Sequence, residues 1–218
     1  MKKKTSSGLK IFLDFDDVLF NTKAFKGGLI NVFKKNGVSE KDFLKTYKDY
    51  PTVTRKGLKK YDPFRQIRLL EKKLGIDGAK TERDMLKFLG GGEKFVFPDV
   101  KNFLRRFGKK NLFLVSYGHT GFQDKKIENC SLAEYFQKVV VTDKMKAEVI
   151  KRLARREEKF FFLDDRADQI EEVKKNFPQS ATFLVKRKEG RYNDRRTEHI
   201  DYVIKNLKEG LKILKKLS

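Results

Sequence analysis

Three carboxylates stand within four residues at one point of the chain, in the segment Asp14-Phe15-Asp16-Asp17. They directly follow a short apolar run that ends at Leu13, which is the pattern of a buried strand. Such a cluster of negative charge at a buried strand end is unfavourable unless a cation or developing positive charge is present. The segment therefore predicts a site whose chemistry depends on charge.

Residues that could take part in chemistry also follow three later apolar runs. They are Ser116, then Lys144 or Lys146 at the start of a helix, then the pair Asp164-Asp165 with Asp168 one turn later. In an open α/β sheet, ligands bind beyond the carboxyl ends of the strands, so all four places are expected at one edge of the sheet. Each place alone is a weak signal, and their order along the chain is what gives the pattern its weight.

Short apolar runs alternate with amphipathic stretches over most of the length, which indicates a doubly wound, mostly parallel sheet covered by helices. The predicted strands are Lys10–Phe15, Asn111–Val115, Lys138–Val141, Phe160–Leu163, Ala181–Val185 and Ile200–Ile204. The predicted helices between and after them are Val100–Phe107, Gly121–Asn129, Ala147–Arg156, Gln169–Asn176 and Leu207–Leu217. The sequence thus predicts an α/β core of Rossmann-like type.

One region interrupts this alternation, because residues 22–92 show helical periodicity and turn signals without a convincing strand. Ser39 with Asp42 and Thr81 with Asp84 resemble helix caps, and Pro63 stands at a helix start. We therefore predict an all-helical insert at 22–92 within a catalytic core made of residues 1–21 and 93–218.

The bulk composition limits the classes of protein that need be considered. The chain has 218 residues, one cysteine and two histidines, which excludes an intramolecular disulfide and the usual structural zinc sites. No stretch approaches the length of a membrane span, and we expect a cytoplasmic protein. The formal net charge of +22 is compatible with nucleic acid as a partner, but the basic residues form no obvious stripe in sequence, so a solvated lysine-rich surface is favoured.

Together and in this order, the four places resemble the four sequence motifs of the haloacid dehalogenase (HAD) superfamily, and the resemblance extends over essentially the whole chain. It implies that Asp14 is a nucleophile that forms an aspartyl-phosphate, and that Asp16 is the general acid and base. It also implies phosphate contacts from Ser116 and from a lysine, for which we choose Lys146 over Lys144.

The same resemblance implies a Mg²⁺ site formed by the Asp14 carboxylate, the backbone carbonyl of Asp16 and the Asp165 carboxylate, with Asp164 and Asp168 as supporting residues. The insert at 22–92 resembles the helical C1 cap of the family. Since dehalogenase members lack the second aspartate, Asp16 favours phosphoryl transfer from a small phosphorylated substrate. A 5'-nucleotidase, a phosphomutase, and a basic nucleic-acid or ribosome-associated protein on the same scaffold remain alternatives, and the sequence does not indicate an oligomeric state.

Overall fold

The computed structural model describes residues 9–48 and 60–217, which form a parallel sheet with helices on both faces. The strands are β1 Ile11–Leu13, β2 Leu112–Tyr117, β3 Lys138–Thr142, β4 Phe161–Asp164, β5 Ala181–Val185 and β6 Tyr202–Ile204. The α-helices are α1 Thr22–Lys35, α2 Glu40–Lys48, α3 Pro63–Leu74, α4 Gly78–Gly90, α5 Val100–Phe107, α6 Thr120–Glu128, α7 Lys146–Ile150, α8 Ala167–Asn176 and α9 Leu207–Leu217.

The strand order in the sheet is β3-β2-β1-β4-β5-β6, and every neighbouring pair is parallel. The order reverses at β1, because the chain continues to β2 on one side of it and returns to β4 on the other. In a doubly wound sheet this switch point opens a crevice at the carboxyl ends of the strands. The predicted fold class is confirmed, and all six predicted strands are present.

Both faces of the sheet are buried, as the continuous apolar runs of its strands require. Ile11 and Leu13 of β1 pack into one apolar cluster with α5 and α9, whereas Phe12 packs into a second cluster with α7 and α8. The two-residue period of a strand thus divides β1 between the two faces. The helix predicted at 147–156 is shorter in the structure, since α7 ends at Ile150 and turns follow it.

The described part of residues 22–90 is helical and contains no strand. Ser39 caps α2 as predicted, since its hydroxyl oxygen accepts from the Asp42 N–H, although the Asp42 carboxylate accepts from the Ser39 hydroxyl rather than from its N–H; Pro63 is the first residue of α3. The predicted Thr81 cap is wrong, because Asp77 caps α4 through the Lys80 N–H and Thr81 lies inside the helix.

The chain enters and leaves this helical insert along two adjacent segments. Phe20 and Val96 form an antiparallel bridge, and the Asn21 N–H donates to the Phe95 carbonyl at 2.8 Å. The insert is therefore attached to the core at one place, next to the end of β1. Its treatment as a separate cap domain remains a prediction, and residues 1–8 of the predicted core and 49–59 of the predicted cap lie outside the described residues.

Candidate active site

Asp14 lies at the switch point of the sheet, directly after the central strand β1. Its backbone N–H donates to the Leu163 carbonyl of β4 at 3.0 Å, which continues the pairing of the two strands by one residue. The Asp14 side chain is 5% exposed and lines a cavity at the carboxyl edge of the sheet. The fold thus brings the first of the predicted carboxylates to the expected edge.

Three buried carboxylates converge at this point. Oxygen atoms of Asp14, Asp164 and Asp165 all lie within 4.8 Å of one another. The Lys146 Nζ, at the first residue of α7, lies 2.6 Å from Asp14 Oδ1 and 2.6 Å from Asp164 Oδ2. One buried cation therefore faces three buried carboxylates.

This imbalance perturbs the carboxyl groups. Burial raises the pKa of Asp14 to about 7, with the charges of Asp164 and Asp16 adding to the rise and Lys146 opposing it. Burial, followed by the charges of Asp14 and Asp164, also raises the pKa of Asp165 well above its ordinary value. Burial opposes the charged form of Lys146, but the two carboxylates in contact with it raise its pKa overall. The cluster would accommodate further positive charge.

A divalent cation fits the donor set of this cluster. The Asp165 Oδ2 atom is buried and has no hydrogen-bond partner among the described residues, although a buried carboxylate oxygen normally has one. Mg²⁺ is bound by carboxylate oxygens together with water and substrate phosphate. Asp14 and Asp165 are thus suited to hold such an ion, and Asp164, which was predicted only as a supporting residue, belongs to the same cluster.

The Asp16 carboxylate is not one of the three clustered carboxylates and has its own partners. It accepts hydrogen bonds from Thr22 Oγ1 at 3.0 Å, Gln123 Nε2 at 3.0 Å and Lys126 Nζ at 2.6 Å. Burial would raise the pKa of Asp16, but the charges of Lys126 and Arg191 and the hydrogen bonds from Lys126 and Gln123 lower it to about 2. The carboxylate is therefore held ionised beside Asp14, facing the same cavity.

Lys126 is almost fully buried on α6, which is rare for a lysine unless it is paired. Besides Asp16, its ammonium group contacts the Gln123 side-chain oxygen at 3.1 Å. Four phenyl rings surround it with their centroids 5.0 to 5.6 Å away, namely Phe15, Phe20, Phe25 and Phe122. The ion pair with Asp16 and the ring faces together compensate for the lost hydration of this lysine.

Ser116 is fully buried near the end of β2. Its hydroxyl oxygen accepts a hydrogen bond from Gln123 Nε2 at 2.8 Å, and the same amide nitrogen also contacts Asp16. Because the oxygen of Ser116 acts as acceptor here, its own proton is free to be donated to another group.

One of the predicted residues does not reach the site. Asp168 is exposed, and its Oδ2 atom lies 2.6 Å from the Arg166 guanidinium. It is not part of the acidic cluster. Its neighbour Gln169 is buried and takes the supporting position, with its side-chain oxygen 3.2 Å from the Lys146 backbone nitrogen. Of the two candidate lysines, the structure brings Lys146 to Asp14, while Lys144 is exposed.

Sequence reasoning also missed Arg191 and the role of Asp17. Asp17 adopts a left-handed conformation with φ of 58°, and its fully buried carboxylate lies 2.5 Å from Arg191 Nε. Arg191 belongs to the long loop between β5 and β6, so no local pattern connects the two residues. The pairing of Gln123 with Lys126 could have been predicted from the sequence, because their i, i+3 spacing places both side chains on one face of α6.

The cavity that contains these groups has a volume of about 340 Å³. The core provides its charged floor, and the insert provides Thr22, Phe25, Lys26, Leu29, Tyr47 and Tyr61. Further aromatic side chains come from Tyr117, Phe122 and Tyr192. The lining thus combines ionised groups at the strand ends with a largely aromatic wall, the composition of a ligand site.

No protein-family model matches the sequence, and no curated protein matches it. Solved structures, in contrast, are similar over nearly the full chain. The HAD hydrolase YfnB of Bacillus subtilis, crystallised with magnesium, is 17% identical with a TM-score of 0.61, and the match covers 94% of this chain and 98% of that one. The chain has the haloacid dehalogenase fold. The fold that the HAD resemblance implies is therefore confirmed.

Other solved structures with the HAD fold carry different activities in their names. The L-2-haloacid dehalogenase of Xanthobacter autotrophicus is 11% identical with a TM-score of 0.62, and the match covers 96% of this chain and 99% of that one. A protein of Thermotoga maritima described as a β-phosphoglucomutase is 14% identical with a TM-score of 0.58, and the match covers 96% of this chain and 100% of that one. The HAD fold thus leaves the reaction to be argued from the site.

None of the described helices has both the length and the apolar character of a membrane span.

Proposed function

We propose that the chain is a Mg²⁺-dependent phosphatase that hydrolyses a small phosphate monoester through an aspartyl-phosphate on Asp14. The observation that carries the proposal is the Asp16 carboxylate, which lines the same cavity as the Asp14–Lys146 pair and is fixed by three hydrogen bonds. An ester oxygen needs a proton in order to leave, whereas a halide does not. A second aspartate at this position therefore favours phosphoryl transfer over dehalogenation.

In the first half of the proposed reaction, an Asp14 carboxylate oxygen forms a bond to phosphorus as the bond to the ester oxygen breaks. Carboxylate and phosphate repel each other, so the attack requires nearby positive charge. Lys146, 2.6 Å from Asp14, supplies one such charge. Mg²⁺ held by Asp14 and Asp165, with the Asp16 backbone carbonyl, would supply the rest and would keep Asp14 ionised at neutral pH.

Asp16 acts as acid and then as base in this scheme. Because Lys126 and its other partners hold the carboxylate ionised, it is ready to accept a proton from the water that hydrolyses the aspartyl-phosphate. For the first step it must carry a proton. A bound phosphate dianion raises the pKa of a neighbouring carboxyl group, so substrate binding promotes this protonation.

Ser116 and Lys146 are the proposed phosphate-binding residues. The Ser116 hydroxyl has its proton free because its oxygen accepts from Gln123, and this proton would be donated to a phosphoryl oxygen. Gln123 contacts both Ser116 and Asp16, so it links the proposed phosphate contact to the proposed acid and base.

The aromatic wall of the cavity favours a particular kind of monoester. Tyr47, Tyr61, Phe122 and Tyr192 line it, and planar side chains of this kind pack well against a planar ring. A nucleoside monophosphate has such a ring, and a sugar phosphate has not. We therefore rank the 5'-nucleotidase activity above phosphomutase activity as the second candidate.

Hydrolysis of p-nitrophenyl phosphate with and without Mg²⁺ tests the proposal. We expect turnover that needs Mg²⁺, is lost in Asp14→Asn and is retained in Asp168→Asn, because Asp168 is exposed and outside the cavity. A panel of nucleoside monophosphates, sugar phosphates and phosphoglycolate then identifies the substrate class. Equal activity of wild type and Asp14→Asn would contradict the proposal.

A further inference from the structure

Two neighbouring helices on one face of the sheet carry a one-sided distribution of charge. Residues 100–110, which contain α5, and 205–217, which contain α9, together hold ten lysines and arginines and a single carboxylate, Glu209. The opposite face provides an internal comparison, since the residues of 146–176, the segment with α7 and α8, that are not buried include eight lysines and arginines and five carboxylates. The two segments of the first face thus contribute +9 to the formal net charge of +22, whereas the residues of 146–176 that are not buried contribute +3.

The helices α5 and α9 are held side by side. Asp99, directly before α5, accepts a hydrogen bond from the Leu207 N–H at the start of α9 at 2.7 Å, and it also forms a buried ion pair with Arg187. Since α5 leads into β2 and α9 follows β6, both helices run from the carboxyl edge of the sheet to the opposite edge. Their charged sides thus form one continuous surface, which we call the basic face.

The cations of the basic face are exposed and largely unpaired. Among the described residues only Lys101 has an acidic partner, Glu93. Nine others have no ion pair within the described part of the chain and are exposed, namely Arg105, Arg106, Lys109, Lys110, Lys205, Lys208, Lys212, Lys215 and Lys216. Lys208, Lys212 and Lys215 follow a spacing of four and three residues, which places them in one row along α9.

Helix stability alone does not account for this arrangement. Basic residues in the last turn of a helix interact favourably with the helix dipole, which applies to Arg105 and Lys215. Lys208 lies in the first turn of α9, where that interaction is unfavourable. A groove of about 700 Å³ continues the basic face at this end and is lined by Lys186, Lys188, Lys205 and Lys208, among others.

We infer that the basic face and its groove bind the phosphodiester backbone of a double-stranded nucleic acid without sequence specificity. Rows of unpaired cations complement the charge of a duplex, and contacts to phosphates need no other chemistry. The described residues of α5 and α9 expose no aromatic side chain, so they lack the stacking platforms that single strands use. The apolar sides of both helices pack against the core, and Leu217 is the one exposed apolar side chain among their described residues, which is too little apolar surface to insert into a membrane.

The experiment compares two variants of identical net charge. One neutralises the basic face (R105Q, K109Q, K212Q and K215Q), and the other neutralises four exposed cations of the opposite face (K151Q, R152Q, R156Q and K159Q). Binding to labelled DNA and RNA duplexes of about 20 base pairs is followed by fluorescence anisotropy between about 50 and 200 mM KCl. Thermal unfolding of both variants checks that they are folded.

We expect the wild type and the opposite-face variant to bind a duplex with similar affinity. For each phosphate contact removed, the affinity of the basic-face variant at 0.1 M salt should fall by about 8-fold. The slope of log K against log salt concentration should become shallower by about 0.9 for each such contact. Equal losses in the two variants would attribute binding to net charge and overturn the inference. Absence of duplex binding by the wild type, or binding only to vesicles of anionic phospholipid, would overturn it as well.

A measurement on the unmodified chain provides an independent check. Acetylation of surface lysines by a reactive ester, read by mass spectrometry, should decrease at Lys109, Lys212 and Lys215 when a duplex is added, but not at Lys151 and Lys159. Protection of both faces to the same extent would contradict the inference. Neither experiment depends on the proposed phosphatase activity, because the basic face lies outside the cavity that contains Asp14.

Discussion

The pKa of Asp14 gives a quantitative prediction for the metal-free protein. An aspartate with a pKa of 3.8 in the unfolded chain and about 7 in the folded chain binds more protons when folded between these two values. The free energy of unfolding should therefore fall as pH rises across this window, by about 1.4 kcal/mol per pH unit for one proton. Over the window from pH 4 to 7 the Asp14 contribution amounts to about 4 kcal/mol as an order of magnitude.

The assay is urea unfolding of the wild type and of Asp14→Asn at several pH values, in the presence of a chelator. Asparagine does not titrate, so the difference between the two proteins reports Asp14 together with its effect on Asp165 and Lys146, while distant groups cancel. Between pH 4.5 and 6.5 the wild type should lose stability relative to the variant by about 1 kcal/mol or more per pH unit. A difference that is flat with pH would refute the reasoning.

Addition of Mg²⁺ should reverse the effect, because a bound cation favours the ionised carboxylate. Calorimetric titrations in buffers of different ionisation enthalpy should show proton release on Mg²⁺ binding at pH 6, from Asp14 and from Asp165, and less release at pH 8.5. Asp168→Asn serves as the control and should release the same number of protons as the wild type, since Asp168 is exposed and outside the cluster. Mg²⁺ binding without proton release at pH 6 would contradict the assignment of Asp14 as a ligand.

Three further substitutions follow from the contacts of the site. Lys146→Ala should lower kcat by about 10² to 10³, because it removes the charge next to Asp14, whereas Lys144→Ala should change it little; equal effects would contradict the assignment of the lysine. Lys126→Met should shift the acid limb of the pH–rate profile to higher pH, since the ammonium that lowers the pKa of the acid/base carboxylate is lost, and an unshifted limb would show that this ion pair does not set the profile. Arg191→Gln should lower the free energy of unfolding in urea by about 1 to 3 kcal/mol, less than for a fully buried ion pair because Arg191 is partly exposed. The double variant that also carries Asp17→Gly should recover most of this loss, because it removes the unpaired buried carboxylate. Additive losses would mean that the two residues do not interact.

Much of the fold could be predicted from the sequence because the strands are short apolar runs buried on both faces. Phe113 to Ser116 and Phe161 to Asp164 pair in register with their neighbours close to where the apolar runs indicated. The boundaries were less predictable where tertiary contacts determine them. The end of α7 at Ile150 and the Asp77 cap of α4 are two examples.

The site could be predicted where its residues come from strand ends, and less well where they come from elsewhere. Asp14 and Asp165 were expected at one edge of the sheet, since parallel strands bring their carboxyl ends together. Arg191 could not be predicted, because its contact with Asp17 joins residues 174 positions apart through a loop without a regular pattern. Asp168 is exposed and Gln169 is buried because of the side of α8 that faces the core, and the sequence periodicity did not distinguish between these neighbouring positions.

The central claim is that Asp14 becomes phosphorylated during turnover, and detection of that intermediate tests it most directly. The protein is mixed with Mg²⁺ and a substrate found in the phosphate-ester panel, quenched in acid within one turnover, digested and analysed by mass spectrometry. We predict a single acid-stable, base-labile phosphoryl group on the peptide that contains Asp14, and none in Asp14→Asn. Substrate hydrolysis without this adduct, or with an adduct on another residue, would contradict the account.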